Sequence, residues 1–172
     1  AIKNATHPSA QNSVLARSVI ISCCMLTAIF IASLFLQDNF EQFFGKYADE
    51  AVTGLMLVAL WLVVSSTVRS VNSLAKNISV VKLVLGGVLT GLFSSILTIA
   101  FLVLFPNVAK SQKMVEVTGA SAGIIILMTV LSFLITLISI INLRVRNRQL
   151  GNLLEILLIG GAILLFVYFA NR

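Results

Sequence analysis

The chain has 172 residues and a formal net charge of +6, with 59% hydrophobic residues and only 10% charged ones. Its mean hydropathy is +1.06, whereas soluble domains carry about 25% charged residues. This composition excludes a water-soluble globular domain and leaves material for one compact bundle embedded in lipid.

Five apolar segments occupy most of the sequence. Each is about as long as a helix needs to cross the bilayer core, roughly 17–25 residues, and none has an ionisable residue near its middle. The segments are apolar on all sides and lack the alternation that barrel strands require. We predict an all-α integral membrane bundle of five transmembrane helices in a single domain over residues 1–172. In chain order the helices are Ser18–Leu36, Ala51–Val68, Leu83–Phe105, Val117–Leu143 and Leu153–Ala170.

The connection between the first two segments has an aromatic pattern. Phe40, Phe43, Phe44 and Tyr47 recur at i, i+3, i+4 and i+7, the spacing of one helical face. This pattern predicts a short amphipathic helix over about residues 38–49, lying at the membrane interface. The simplest interpretation is an aromatic anchor for the first hairpin. A docking surface for a partner, or a lid over an opening, is the alternative.

Lysine and arginine are divided unequally between the two sides of the predicted bundle. The N-terminal tail, the second connection and the fourth connection together hold eight of them, and the opposite side holds four. The positive-inside rule therefore predicts a cytoplasmic N-terminus and a C-terminus on the opposite side. We expect the bacterial plasma membrane, with an organellar membrane as the alternative.

Three arginines, Arg144, Arg146 and Arg148, alternate with other residues in the fourth connection. We interpret them as topology determinants that also contact anionic lipid phosphate. A specific site for an acidic headgroup, or for the acidic tail of a partner, is the alternative. No soluble segment is large enough to form a basic face with interleaved aromatics, so nucleic acid is not an expected partner.

Small residues at four-residue or adjacent spacing predict close helix packing, because small side chains let helices approach each other in lipid. The packing could join helices of this chain, or join it to other membrane subunits or to a second copy in a homo-oligomer. The glycines concerned are Gly87, Gly91, Gly119, Gly123, Gly160 and Gly161.

One ionisable residue, Glu155, lies inside a predicted span, near the start of the fifth. Buried charge in a membrane is costly and usually has a use. The two interpretations are an ion pair with Arg148, Arg69 or Lys82, and a protonatable group on a transport path. Hydroxyl residues also cluster on the second, third and fourth spans. They could line a narrow path or bond back to carbonyls of their own helix.

Signs of catalysis and of cofactor binding are few. The only histidine, His7, lies in the polar tail, away from any position suited to a haem ligand. Cys23 and Cys24 are adjacent and do not form a Cys-x-x-Cys motif. We therefore expect no catalytic residue, metal or cofactor, and predict an accessory or structural subunit of a larger membrane complex. The alternative is a small channel or transporter component that uses the hydroxyl-bearing faces.

Overall fold

A computed structural model of the chain describes residues 7–75, 77–105, 121–145 and 147–170. These residues are almost entirely helical, with no strand among them. The six helices of this part of the chain are α1 (Pro8–Phe35), α2 (Gln37–Phe44), α3 (Ala48–Leu74), α4 (Val80–Leu104), α5 (Ser121–Arg144) and α6 (Arg148–Ala170).

The five predicted membrane-spanning helices are confirmed, since α1, α3, α4, α5 and α6 are each long and apolar enough to cross a bilayer. They contain between 23 and 28 residues, or about 35–42 Å at 1.5 Å per residue. That length exceeds a hydrocarbon core of about 30 Å. The chain is a multi-pass membrane protein whose helices extend beyond the apolar core or tilt within it.

Several helices start earlier or end later than predicted. The first begins at Pro8 instead of Ser18, and the last begins at Arg148 instead of Leu153. Hydropathy marks only the part of a helix that lies in the hydrocarbon core. The backbone hydrogen bonding of the helix continues through the polar residues at its ends. Proline is favourable in a first helical turn because its missing N–H would have no intrahelical acceptor there. The predicted first residues of the fourth helix, 117–120, lie outside the described residues.

The structure does not support a separate interfacial helix over residues 38–49. Helix α2 follows α1 after one residue and ends at Phe44, and a single 3₁₀ turn, Gly45–Tyr47, leads into α3. Gly45 has a φ of 54°, a backbone conformation that glycine adopts readily and other residues rarely do. The break at Gly45 interrupts the helical face that was expected to run from Phe40 to Tyr47.

Helices α3 and α4 pack against each other at the centre of the bundle. Both α1 and α5 pack against this pair, whereas α6 packs against α3 and α5. One apolar cluster includes Leu26, Leu60 and Ile135. A second apolar cluster includes Val19 and Val68. It lies nearer the basic end of the bundle, the end that carries Arg17, Arg69 and Lys82. Sequential spans are antiparallel, so the start of α6 lies beside the end of α3.

Candidate functional site

The most unusual side chain in the described part of the bundle is a buried carboxylate on α6. Glu155 lies seven residues after the first residue of the helix and is only 2% exposed. Its sequence neighbours Leu154 and Ile156 are exposed. The carboxylate therefore faces inward, against α3 and α5, while much of α6 faces away from the bundle.

One carboxylate oxygen, Oε1, accepts hydrogen bonds from three uncharged side chains. On α3, Ser65 Oγ donates at 2.8 Å and the indole Nε1 of Trp61 donates at 3.2 Å. On α5, the hydroxyl of Ser139 donates at 3.3 Å and also lies 2.9 Å from the Ser65 hydroxyl. Three helices thus meet at a single oxygen atom.

The second oxygen, Oε2, carries the ion pair. Arg69 Nη2, on α3, lies 2.6 Å from it, and the side-chain amide of Asn142, on α5, also donates to it. A carboxylate offers about four lone-pair positions, and five donors converge on this one. The charge of Glu155 is therefore compensated, and its acceptor capacity is taken up by the chain itself.

The donors come from regular stripes on the two supporting helices. Trp61, Ser65 and Arg69 follow one another every four residues and share one face of α3, and Ser139 and Asn142 are three residues apart on α5. Their hydrogen bonds satisfy polar groups that would otherwise lie bare in lipid, where each costs several kcal/mol. These hydrogen bonds to Glu155 fix the depth and the rotation of α6 within the bundle.

Gly151 makes the close approach of α5 and α6 possible. It is buried, and a Cβ atom there would lie 3.2 Å from Asn142 Cγ and closer still to Asn142 Oδ1. Any larger residue would displace the amide that donates to Glu155. The glycine is therefore a positioning residue for the carboxylate cluster.

A partly open cleft of about 280 Å³ adjoins the cluster between α3 and α6. Glu155 and Ser65 form its inner wall. Arg69 forms part of its mouth, and 45% of the Arg69 side chain is exposed. The remaining lining residues are Trp61, Leu62, Ser66, Asn152 and Ile156.

Two of the predicted packing glycines lie in a tight contact between α4 and α5. A Cβ on Gly91 would lie 2.6 Å from Ser132 Cβ, and one on Gly87 would lie 2.9 Å from Thr136 Cβ. Both distances are shorter than any ordinary contact between carbon atoms. Only glycine at these two positions allows the two helices to approach so closely. A third glycine, Gly86, makes room in the same way for Leu15 of α1.

The other predicted packing glycines have no such neighbour in the described chain. A Cβ on Gly123, Gly160 or Gly161 would meet nothing within 4 Å. Gly119 lies outside the described residues. These α5 and α6 positions are open in the single chain, so a role for them in packing against another subunit stays a prediction.

The hydroxyls of the α4–α5 contact bond mainly to their own helices. Thr98 donates to the carbonyl of Ser94 at 2.7 Å, Ser132 to that of Met128 at 2.7 Å, and Thr136 to that of Ser132 at 2.6 Å. Such bonds to the preceding turn satisfy a hydroxyl without any outside partner. These side chains are buried between helices.

The predicted aromatic group is split by Gly45. Phe40 and Phe44 stack, with ring centroids 5.7 Å apart, and Phe43 is 84% exposed. Tyr47 lies beyond the break, with the Lys46 ammonium 5.0 Å from its ring centroid. The structure thus brings together two of the four aromatics.

The predicted basic group lies at the end of the bundle where α5 ends and α6 begins. Arg144 and Arg148 are both exposed, and Arg146 lies outside the described residues. The described residues Arg17, Arg69 and Lys82 belong to the same end, because the spans alternate in direction.

Sequence reasoning singled out Glu155 and named Arg69 as one of three alternative partners. It did not identify Trp61, Ser139 or Asn142 as donors to the carboxylate, or Gly151 as the residue that makes room for them. The four-residue stripe on α3 was a usable signal, because its indole, hydroxyl and guanidinium groups share a face otherwise surrounded by apolar residues.

Within the described residues, no three His, Cys, Asp or Glu side chains come close enough to hold a metal ion. Comparisons of the chain with models of known protein families, with curated protein sequences and with solved structures gave no match. The function is therefore inferred from the geometry of this chain alone.

Proposed function

We propose that this protein is a non-catalytic integral membrane protein, an accessory or structural subunit of a larger membrane complex that works through helix–helix and lipid contacts. The observation that carries the proposal is the saturation of Glu155. A carboxylate that serves transport or catalysis needs a free acceptor position for its proton, ion or substrate. Here five donors of the same chain occupy the acceptor positions, which favours a role in holding helices together.

The hydroxyl-rich helix faces support the same proposal. Gly87 and Gly91 bring α4 and α5 into direct contact, and the hydroxyls between them donate to carbonyls one turn earlier in their own helices. A pore lining would need hydroxyls that turn toward water. Small residues and internally bonded hydroxyls are typical of tightly packed membrane helices.

A partner helix has a natural place on the outer face of α6. The face is apolar, and Gly160 and Gly161 have open space above them. Small residues on an exposed span let another helix approach closely. We propose that this face contacts another membrane subunit or a second copy of the chain, with Phe43 and Phe44 of α2 as a further anchoring or docking surface at the membrane interface.

The proposal is tested by extracting the protein from its native membrane in a mild detergent and identifying all co-purifying proteins by mass spectrometry. A partner at fixed stoichiometry is expected. Gly160→Leu and Gly161→Leu should release it, whereas Leu97→Phe, which adds bulk on the exposed surface of α4, should not. A chain that purifies alone and monomeric, and is unaffected by all three substitutions, would contradict the proposal.

A second candidate function is a small channel or transporter component. One observation favours it: the cleft between α3 and α6 opens beside the Arg69–Glu155 ion pair, within the membrane-spanning part of the bundle. Reconstitution into vesicles with ion-sensitive dyes would test this alternative. A flux abolished by Glu155→Gln in a variant that remains folded would favour transport over the subunit role.

We propose further that the basic end of the bundle faces the cytoplasm, in the bacterial plasma membrane, following the positive-inside rule. In a background without Cys23 and Cys24, a cysteine at exposed Gln42 should react with an impermeant maleimide added outside. A cysteine at exposed Gln149 should react only after permeabilisation. The opposite pattern would reverse the orientation.

A further inference from the structure

We propose that the cleft between α3 and α6 binds the headgroup of an anionic phospholipid, with an acyl chain lying along the adjoining apolar surface. This site lies deeper than the exposed arginines of the connection between α5 and α6, of which Arg148 is the nearest to it. The inference depends on the membrane location of the chain and not on its being a subunit of a complex.

The cleft changes from polar to apolar along the membrane normal. Its polar part, nearest the basic end of the bundle, contains Ser66, Arg69 and Asn152. Toward the membrane middle follow Leu62 and Ile156, which are 54% and 56% exposed. A phospholipid has the same sequence of chemistry, with a charged phosphate at the surface and a hydrocarbon chain beneath it.

Arg69 supplies guanidinium hydrogen-bond donors to the cleft. Its Nη2 atom is held by Glu155, but the side chain stays 45% exposed, so further guanidinium N–H groups are open to the mouth of the cleft. A guanidinium can bind a phosphate through two parallel hydrogen bonds. The ion pair with Glu155 therefore orients Arg69 for an anion without consuming all its donors.

Two uncharged donors complete the polar part. Asn152 accepts a hydrogen bond at Oδ1 from Asn142 at 3.2 Å, an arrangement that leaves the side-chain amide of Asn152 as a donor toward the cleft. Ser66 is exposed on α3, three residues before Arg69. These groups do not compete for Glu155, whose oxygens already accept bonds from other donors.

The depth and charge of the cleft also suit a headgroup. Arg69 lies five residues before the last residue of α3, which is about 8 Å along the helix axis. Arg148 is exposed and stands one turn before Asn152 on the same side of α6. The Arg69–Glu155 pair is neutral overall, so Arg148 supplies the net positive charge beside the cleft. Leu62 and Ile156 lie directly below these polar groups and face the lipid, so a headgroup held by Arg69 can keep its own acyl chain against them.

Trp61 is the only tryptophan of the chain and lines the cleft, so it reports on occupancy. The purified full chain in nanodiscs is titrated with phosphatidylglycerol carrying brominated acyl chains, which quench nearby indole fluorescence. Quenching is expected to saturate at a lower mole fraction than with brominated phosphatidylcholine. Equal quenching by the two lipids would overturn the proposal.

Variants separate a defined site from a diffuse basic surface. Ser66→Ala combined with Asn152→Ala removes two donors without breaking the Arg69–Glu155 pair. It should weaken the phosphatidylglycerol preference at least tenfold, the factor expected for the loss of a single hydrogen bond to a charged group. Arg17→Gln, an exposed control on α1 at the same end of the bundle, should leave the preference unchanged. Equal losses in the double variant and in Arg17→Gln would indicate general attraction to the basic end and overturn the site.

A competition arm separates a lipid from a soluble anion. Inorganic phosphate at millimolar concentration is expected to leave the quenching by brominated phosphatidylglycerol unchanged. Displacement of the lipid by phosphate would assign the cleft to a soluble anion and overturn the lipid proposal. Because these measurements use the isolated chain, their failure is distinguishable from failure to find a partner subunit.

Discussion

Gly91→Ala should destabilise the bundle, because the new methyl group would lie where α5 already packs. The added Cβ would be 2.6 Å from Ser132 Cβ and 3.3 Å from the Met128 carbonyl oxygen. Rotating the serine hydroxyl does not relieve the first contact, since Ser132 Cβ is fixed by the backbone of α5. The two helices must therefore move apart.

The size of the effect follows from that separation. Ordinary van der Waals contact begins at 3.4 Å in this geometry, so α5 has to retreat locally by about 0.8 Å. A gap of 0.5–1 Å forfeits a quarter to a half of the dispersion energy of each separated contact. Overpacking in a close-packed interior typically costs about 1–3 kcal/mol, and we expect the packing cost at Gly91 to fall in this range.

The assay compares Gly91→Ala with Gly160→Ala, whose new methyl group would meet nothing within 4 Å. Both substitutions change intrinsic helix propensity by the same amount, up to about 1 kcal/mol in favour of alanine. The difference in unfolding free energy between the two variants therefore isolates the packing cost. Reversible unfolding in mixed micelles, followed by circular dichroism, measures it. A Gly91→Ala variant as stable as Gly160→Ala would refute the close contact of α4 and α5.

Three further predictions concern the carboxylate cluster and the first helix. Glu155→Ala should lower the unfolding free energy by about 3 kcal/mol. Glu155→Gln should lower it by less, because glutamine keeps one acceptor oxygen. Equal losses in the same unfolding assay would contradict the arrangement in which several donors share one oxygen of Glu155. Gly151→Leu should lower the midpoint of thermal unfolding, because it displaces the α5 amide that donates to the carboxylate, whereas Gly123→Leu, at an open position, should leave the midpoint within a degree or two. In detergent, Cys24 should react quickly with a maleimide and Cys23 only on unfolding, since Cys24 is exposed and Cys23 is buried; tandem mass spectrometry distinguishes the two, and equal labelling rates would contradict the placement of α1.

The existence and order of the spans could be predicted because lipid imposes one requirement on every residue of a spanning segment. Apolar runs of sufficient length have no stable alternative to a helix in a bilayer. Helix ends were harder to predict, because Arg17 and Arg69 lie inside helices whose apolar stretches stop beside them. Long basic side chains can extend toward the headgroups while the backbone stays helical.

Helix rotation was the main quantity that the sequence left open. Glycine spacing marked Gly87 and Gly160 equally, yet only Gly87 lies against another helix of the chain. Which face of a span meets a neighbour depends on the whole bundle, since every face is apolar. The same uncertainty kept Arg69, Lys82 and Arg148 equivalent as partners for Glu155.

For the candidate site, the sequence predicted only that one carboxylate, Glu155, lies near the start of a span. A lone carboxylate near the start of a span indicates that other residues must supply hydrogen-bond donors or a positive charge to compensate its charge. Its actual donors are a tryptophan, two serines and an asparagine in addition to the arginine. Each of these types is common in membrane helices on its own, so their convergence required three helices to be placed relative to one another.

The way Glu155 is held has a consequence for how the protein is made. A carboxylate in an inserting helix is costly, by up to about 2.5–3.5 kcal/mol at the helix centre, and Glu155 lies about two turns inside α6. All donors to Glu155 belong to α3 and α5, which leave the ribosome before α6 does. The earlier helices can thus act as an internal insertion chaperone, so that integration of α6 reports on correct assembly of the helices synthesised before it.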